Sequence, residues 1–394
     1  PNSSNRTARA MSGEEIKSGL PRRVCDYIAD SLAQQGVRSV FGGHGGSVIP
    51  LINAITTHPD LRWVYTRNEA AASLAAAAEA KLTGRLAVCV ATSGPGASNL
   101  TTGLIDALQD RVPVLALTGM KTTQSIDLSE FQAIHQEQLF RAAGLAVSQV
   151  IMSEAAVPAM LRNAIAVAMR EQTAVHLALP VDIQARPLEL PPIHRQLQLV
   201  SHLDYSSSES RIRQAAEAIA DPTLRIVVAL GHHAATGITA DHADSVHNPY
   251  VRLAETLNAP IITQLDAKGV VDESHTLAYG VIGIFGQPGL DSARALVRAA
   301  DVVLLFGVNR QAVDLISDTN FNQVRRVVEF EPDAGAAAYH RWYDCDAVVL
   351  GDLMANARRL EAAVANLRDT PAARTAASLL SDVRPINEDG THWS

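Results

Sequence analysis

Two short segments of this chain hold residue types suited to chemistry. One is Arg67-Asn68-Glu69-Ala70-Ala71, and the other, starting 23 residues after the glutamate, is Thr92-Ser93-Gly94-Pro95-Gly96-Ala97-Ser98-Asn99. A glutamate where a strand hands over to a helix stands at the carboxyl edge of a parallel sheet, the usual ligand position in open α/β folds, and can share a proton with a bound base. Burial there would raise its pKa. Taken alone, the same residue reads as a helix N-terminal carboxylate facing the dipole. The Gly94-Pro95-Gly96 turn lets backbone approach a ligand closely and leaves the next helix N-terminus open to polar groups. It is not a phosphate loop, since there is no GxxxxGK[ST], and GPGASN lacks the third glycine of a dinucleotide fingerprint. A third candidate is His44 in Phe41-Gly42-Gly43-His44-Gly45-Gly46, an imidazole in a glycine loop. It either transfers protons near neutrality or is satisfied by the loop backbone.

The elements that must position these residues alternate. The pattern predicts a helix over Val24–Gln35, a strand over Ser39–Phe41, a helix over Val48–Thr56, a strand over Arg62–Thr66 and an Ala-rich helix over Glu69–Leu82. A strand over Arg85–Ala91 opens into the glycine turn and a helix over Ala97–Gln109; strands follow over Val112–Thr118 and Ala174–Leu179, with a helix over Ala155–Arg170 between them. Continuously apolar strands alternating with helices read as a parallel sheet covered on both faces. Residues 192–210, with Pro191-Pro192 at their start and Ser206-Ser207-Ser208 within them, read as a linker. A second series then runs from a strand over Arg225–Leu230 to a helix over Leu353–Leu367. The expected layout is therefore residues 1–20 outside the fold, domains over 21–191 and 211–367, and a connector over 368–394.

Composition narrows the function classes. Of the 394 residues 47% are hydrophobic and 19% charged, the balance of a packed globular chain, and no uncharged run of ~18 residues is apolar enough for a membrane span, residues 86–105 being interrupted by the polar Thr92–Asn99 turn. A formal net charge of −8 without clustered Lys and Arg argues against nucleic acid. Cys25, Cys89 and Cys345 are odd in number and far apart, and no metal-ligand spacing occurs. A cytoplasmic protein acting on small molecules is the expectation, with no membrane partner and no secretory signal in the polar N-terminus.

Together, Arg67-Asn68-Glu69-Ala70-Ala71 and Thr92–Asn99 resemble the pyrimidine-binding domain of thiamine-diphosphate enzymes in the acetolactate synthase, pyruvate oxidase and benzaldehyde lyase group. The likeness continues through Asp106–Gly119 and Phe131-Gln132. It implies an α/β fold of two doubly wound parallel-sheet domains, a pyrimidine-binding domain and a Rossmann-like central domain. It also implies thiamine diphosphate as cofactor. Glu69 would hydrogen-bond N1′ of the aminopyrimidine and favour the tautomer from which thiazolium C2 loses its proton. Gly43, Gly45, Thr92, Gly94, Pro95, Gly96, Asn99, Phe131 and Gln132 would line the cofactor, with Gln132 touching the bound intermediate. His44 stands where a proline is common in the group and resembles the aldehyde lyase branch, which implies a proton-transfer role; Asn68 stands where many relatives carry histidine. His135 reads as surface. Beyond Gly231, Lys268-Gly269, Gly280–Gly286 and Glu331-Pro332-Asp333 resemble the central domain, which in some relatives binds FAD or ADP. The run Val308-Asn309-Arg310-Gln311 lacks the RFDDR pattern of flavin-binding members, which counts against FAD.

The group's Mg²⁺-diphosphate motif, GDG followed downstream by asparagine, does not occur: Gly351-Asp352 precedes Leu353, and Asp389-Gly390 precedes only four residues. The resemblance therefore implies that the motif lies either on a part of the chain beyond these residues or, the favoured reading, on a second subunit, in an α2β2 assembly or a higher multiple. The implied activity is that of a carboligase, a transferase or lyase, which decarboxylates a 2-keto acid and passes the acyl unit to a carbonyl acceptor. The other readings are a pyruvate-oxidase-like flavoprotein and a catalytically silent scaffold.

Overall fold

Strand β1 (Ser39–Gly42) pairs in parallel with β2 (Arg62–Tyr65) on one side and with β3 (Ala87–Ala91) on the other. This computed structural model describes residues 22–126, 128, 130–193, 209–235, 238, 247–282, 289–308, 324–332 and 345–368. With β4 (Val114–Met120), β5 (Ser148–Val150) and β6 (Ala174–Pro180), the first sheet has the order β2-β1-β3-β4-β6-β5, every pair parallel. The chain runs outward to β2 and then crosses back to β3, so its topological switch lies between β1 and β3. Ligands of such sheets sit outside the carboxyl ends of strands at that crevice.

Strand residues alternate between two cores, as a period of two requires. Val88 and Val90 face helices α1 (Val24–Gln34), α2 (Ile49–Thr57) and α7 (Val157–Glu171). Ala87, Cys89 and Ala91 face α3 (Glu69–Thr83) and α5 (Thr101–Gln109). The second core is built of small side chains: Ala72, Ala76, Ala77 and Ala80 of α3 are fully buried in it. A Cβ on Gly103 of α5 would lie 2.4 Å from the Leu74 nitrogen, so only glycine lets these two helices approach this closely. Burial pushes the Cys25 thiol up to about 11 and Cys89 up to about 12, which leaves both inert.

The second sheet has strands β7 (Ile226–Leu230), β8 (Ile261–Gln264), β9 (Ala278–Ile282), β10 (Val302–Phe306), β11 (Arg326–Glu331) and β12 (Ala347–Leu350) in the order β12-β11-β10-β7-β8-β9, all parallel. This is the doubly wound dinucleotide-fold order, with its switch between β7 and β10. Helices α9 (Glu209–Ile219), α11 (Pro249–Leu257) and α13 (Leu353–Arg368) cover one face, and α12 (Gly289–Ala299) the other. The rings of Phe306 and Phe330 stack at 4.2 Å inside the larger of its two cores. The expected α/β architecture with two parallel sheets is the observed one. No helix among the described residues is long and apolar enough to cross a membrane.

The structure corrects several expected elements. The predicted helix over Ala97–Gln109 is two helices, α4 (Pro95–Asn99) and α5, because the helix starts earlier, at Pro95 after Gly94 (φ 64°), and breaks at Leu100. Helix α6 (Gln136–Ala142), strand β5, the short helices α8 (Val181–Gln184) and α10 (His232–Ala235), and β9 were not anticipated. Each is short, and β9 carries Gly280 at φ 96° beside a register shift against β8, so its alternation is broken. Helix α9 begins at Glu209, inside the stretch read as linker. The expectations placed on Gly283, Gly286, Asn309–Gln311, Asp333 and Ser206–Ser208 lie outside the described residues, as do both chain ends.

Candidate functional site

Glu69 opens α3, directly after β2, and its backbone is placed by Asn68. The Asn68 side chain accepts a 2.8 Å hydrogen bond from the Ala70 nitrogen, a standard N-cap that fixes where the helix starts. Replacing histidine with asparagine at that position thus gains a cap, a role that the sequence reading did not assign. The Glu69 carboxylate is held at one oxygen only: Asn99 Nδ2 donates to Oε2 at 3.0 Å. Oε1 has no hydrogen-bond partner among the described residues. It lies between two glycines, and a Cβ on either Gly43 or Gly96 would come 3.3 Å from it. Side chains there would crowd the acid, so the glycines keep one carboxylate oxygen open. Glu69 is half-buried rather than buried as expected.

Thr92 closes the floor of this cradle. Its side chain fills the space that a Cβ on Gly45 would need, at 2.2 Å, and that of Gly96, at 2.7 Å. Its Oγ1 lies 2.9 Å from Ser47 Oγ, and the same Ser47 oxygen accepts from the Ser93 nitrogen at 2.9 Å. Gln184 Nε2 in turn donates to the Ser47 carbonyl at 2.8 Å. The loop after β1 and the turn after β3 are thereby cross-braced at the β1/β3 switch. Sequence reasoning missed Ser47 and Gln184, and no pattern marks them: a serine in a glycine loop and a glutamine 137 residues away meet only through tertiary packing.

The remaining predicted residues separate into two groups. Gln132 is drawn in: it adopts φ 63°, and a Cβ on Gly94 would strike its carbonyl at 2.5 Å, so both residues take left-handed backbone where they touch. His44 is exposed and packs edge-on against Tyr65 at 5.0 Å and Trp63 at 6.2 Å between ring centroids. Phe131 is 79% exposed and is not in the cradle; its ring lies 5.9 Å from the Lys121 ammonium. Pro95 sits exposed at the first position of α4. His135, read as surface, has its side chain 54% exposed and lies 3.4 Å from Glu137.

A further trait of this edge is incomplete hydrogen bonding. Trp63 Nε1, Thr66 Oγ1, Ser93 Oγ, Gln136 Oε1 and Glu137 Oε2 are buried without a partner. An orphaned buried polar atom costs about 1–3 kcal/mol, so a fold keeps several together only where something else satisfies them.

The geometry fits an aminopyrimidine: an acid with one tethered and one open oxygen, glycine-walled, at the switch point of a parallel sheet. Two family models match the chain, "Thiamine pyrophosphate enzyme, N-terminal TPP binding domain" over residues 22–139 and the corresponding "central domain" over residues 212–360, together more than half of its length. The chain is similar to a probable acetolactate synthase large subunit of Methanocaldococcus jannaschii, 33% identical over 286 residues, which span 72% of this chain and 46% of the relative. It is also similar to a pyruvate oxidase of Lactiplantibacillus plantarum, 28% identical over 343 residues, 85% of this chain and 53% of the relative. A third similar protein is an uncharacterized 42.6 kDa protein of Pseudomonas amyloderamosa, 28% identical over 287 residues, 73% of this chain and 69% of the relative. The chain spans about half the length of the two enzymes. The first matched segment covers β1 to β4 of the first sheet and the second covers all six strands of the second, and the protein belongs to the thiamine pyrophosphate enzyme family.

Proposed function

We propose that this chain supplies the pyrimidine-activating half of a carboligase that decarboxylates a 2-keto acid and transfers the acyl unit to a carbonyl acceptor. The Mg²⁺-diphosphate half would come from a second polypeptide in an α2β2 or larger assembly. The observation that carries the reading is the Glu69 carboxylate, tethered at Oε2 by Asn99 and open at Oε1 between Gly43 and Gly96. When bound, thiamine diphosphate supplies a thiazolium carbon nucleophile and the electron sink that decarboxylation needs. Glu69 Oε1 would share a proton with a ring nitrogen of the bound cofactor, while Asn99 keeps the carboxylate from rotating away. Thr92, braced by Ser47, sets the depth at which a ring can rest. His44, exposed beside Tyr65, is the imidazole this loop offers for proton transfer. A silent scaffold would have no use for an acid kept with an open oxygen.

The two-chain arrangement rests on the resemblance, whose Mg²⁺-diphosphate motif does not occur among these 394 residues. Divalent Mg²⁺ needs hard oxygen ligands to bridge a diphosphate, and none of that pattern is in this sequence. The test is calorimetry with thiamine diphosphate, with and without Mg²⁺, on the chain alone and on the complex recovered from source cells, whose members mass spectrometry identifies. Weak, Mg²⁺-independent binding alone and Mg²⁺-dependent binding with 2-keto acid turnover in the complex are expected. Tight Mg²⁺-dependent binding and turnover by this polypeptide alone would overturn the two-chain reading.

A further inference from the structure

Beside the cradle, on the far side of the Ser93-Gly94 turn, a cleft of about 160 Å³ runs between the carboxyl end of β4 and the chain around residues 132–136. One water needs only ~10–15 Å³ of such space, so the cleft takes a small organic molecule. Three of its lining side chains are chemically unfinished. Ser93 is 2% exposed, and its hydroxyl has no partner. Gln136 is fully buried; its Nε2 donates to the Gly119 carbonyl at 3.0 Å, but its Oε1 has no partner. Lys121, the residue after β4, is half-buried and in no ion pair among the described residues, its ammonium meeting only the Phe131 ring.

The three groups ask for different things. Lys121 asks for an anion. The Ser93 hydroxyl has a donor to give to an oxygen, and Gln136 Oε1, whose amide is already committed through Nε2, can only accept. Neither the serine hydroxyl nor the glutamine oxygen has a partner to satisfy it. A plain alkyl acid would satisfy the lysine and serine and leave the glutamine orphaned, while a polyol without charge would leave the lysine unanswered. The geometry points to a specificity subsite for a small hydroxycarboxylate: a carboxylate bound by Lys121 and Ser93, with a neighbouring hydroxyl donating to Gln136 Oε1. That this group is an arm of the reacting substrate rests on the function proposed above; the binding itself does not. It also explains why the turn after β3 keeps a serine with an unmet hydroxyl next to the cradle.

The test uses the full chain and three probes of similar size, glycerate, propionate and glycerol, titrated by calorimetry or followed by NMR shifts. Glycerate is expected to bind saturably and about tenfold more tightly than propionate, with no saturable binding of glycerol. Lys121→Met should weaken glycerate at least about tenfold. Ser93→Ala should weaken it about fivefold, yet raise the thermal midpoint of the free chain by about 2–4 °C, because an orphaned hydroxyl is removed. A purely structural serine would give the opposite shift. Equal binding of glycerate and propionate, no saturable binding of either, or unchanged affinity in Lys121→Met would overturn the subsite. Deuterium exchange at thiamine C2 in the reconstituted complex separates the two readings: exchange dependent on Glu69 with no glycerate site retains the function and removes the subsite, and the converse retains the subsite alone.

Discussion

The two sheets offer the same topological opportunity and use it differently. At the β1/β3 switch, the glycines face functional groups: the missing Cβ atoms of Gly43 and Gly96 leave room beside Glu69 Oε1, and nearby hydroxyl and amide atoms have no partner. At the β7/β10 switch, the glycines let neighbouring chain segments pack closely. A Cβ on Gly231 would lie 2.2 Å from the Val308 Cα, and one on Gly307, at φ 58°, would lie 2.5 Å from the His233 Cβ. There the polar side chains are matched: His233 Nδ1 is 3.4 Å from Glu331, and His232 is 3.4 Å from Asp266 and 2.9 Å from the Asp110 carbonyl of the first domain. A sheet's topology thus provides a crevice, and the hydrogen-bond accounts of its turns decide whether the crevice receives a ligand or joins two parts of the chain.

The largest expected effect breaks the first region at its centre. Glu69→Gln keeps a side chain of the same size but cannot carry the shared proton, so deuterium exchange at thiamine C2 in the reconstituted complex should fall by at least about 10³-fold, within the span of acid–base contributions. Exchange at the wild-type rate would remove Glu69 from the reaction. Next comes His44→Ala, expected to slow turnover about 10²-fold while leaving C2 exchange intact. Unchanged steady-state turnover would return that imidazole to the loop.

Two histidines sharpen the contrast because their pH dependences have opposite signs. His176 is fully buried in the first sheet, with Nε2 2.8 Å from Thr118 Oγ1 and Nδ1 2.8 Å from Ser148 Oγ, and burial pushes its pKa down to about 3. Between that value and the ordinary 6.5, the unfolded chain binds a proton that the folded chain refuses, so stability falls as pH drops through that window. From pH 6.5 to 5 the loss should be about 1–2 kcal/mol, read from urea midpoints, and His176→Gln should flatten it. An equal acid slope in both proteins would assign the loss to other groups. For His232, burial opposes the charge, but Asp266 and Asp110 outweigh it and raise the pKa. Its contribution is therefore complete below the ordinary 6.5 and is lost as pH rises through the raised value. His232→Gln should remove about 0.5–1 kcal/mol at pH 6 and little at pH 8, the size of a partly screened pair. A deficit that grows with pH would reverse that assignment.

Much of this was legible from residue order. Alternating elements place both sheets, and a handover glutamate and a glycine turn mark Glu69 and Gly94 locally, whereas Gln132 enters only through the resemblance of Phe131-Gln132 to the thiamine-diphosphate group. What was hidden was of two kinds. Short pieces such as β5 and α10 have too few residues for any period to register. Ser47, Gln184 and the unmatched Ser93 and Gln136 acquire meaning only from neighbours distant in sequence, and whether a hydroxyl has a partner is a property of packing. Phe131, which the resemblance puts beside the cofactor, stands outside the cradle in this chain, the left-handed turn at Gln132 sending the two residues to different surroundings.

The alanine layer under α3 has one more implication. Because Ala72, Ala76, Ala77 and Ala80 are the spacers between that helix and the strands, they set the height at which its first residue stands above the sheet. Thicker spacers such as valine would lift the whole helix like a shim under a rail, carrying the acid out of register with Asn99 and the two glycines without touching any of them. Drift at four ordinary core positions can therefore retune or silence this acid, and a comparison of such chains confined to the cradle would miss the cause.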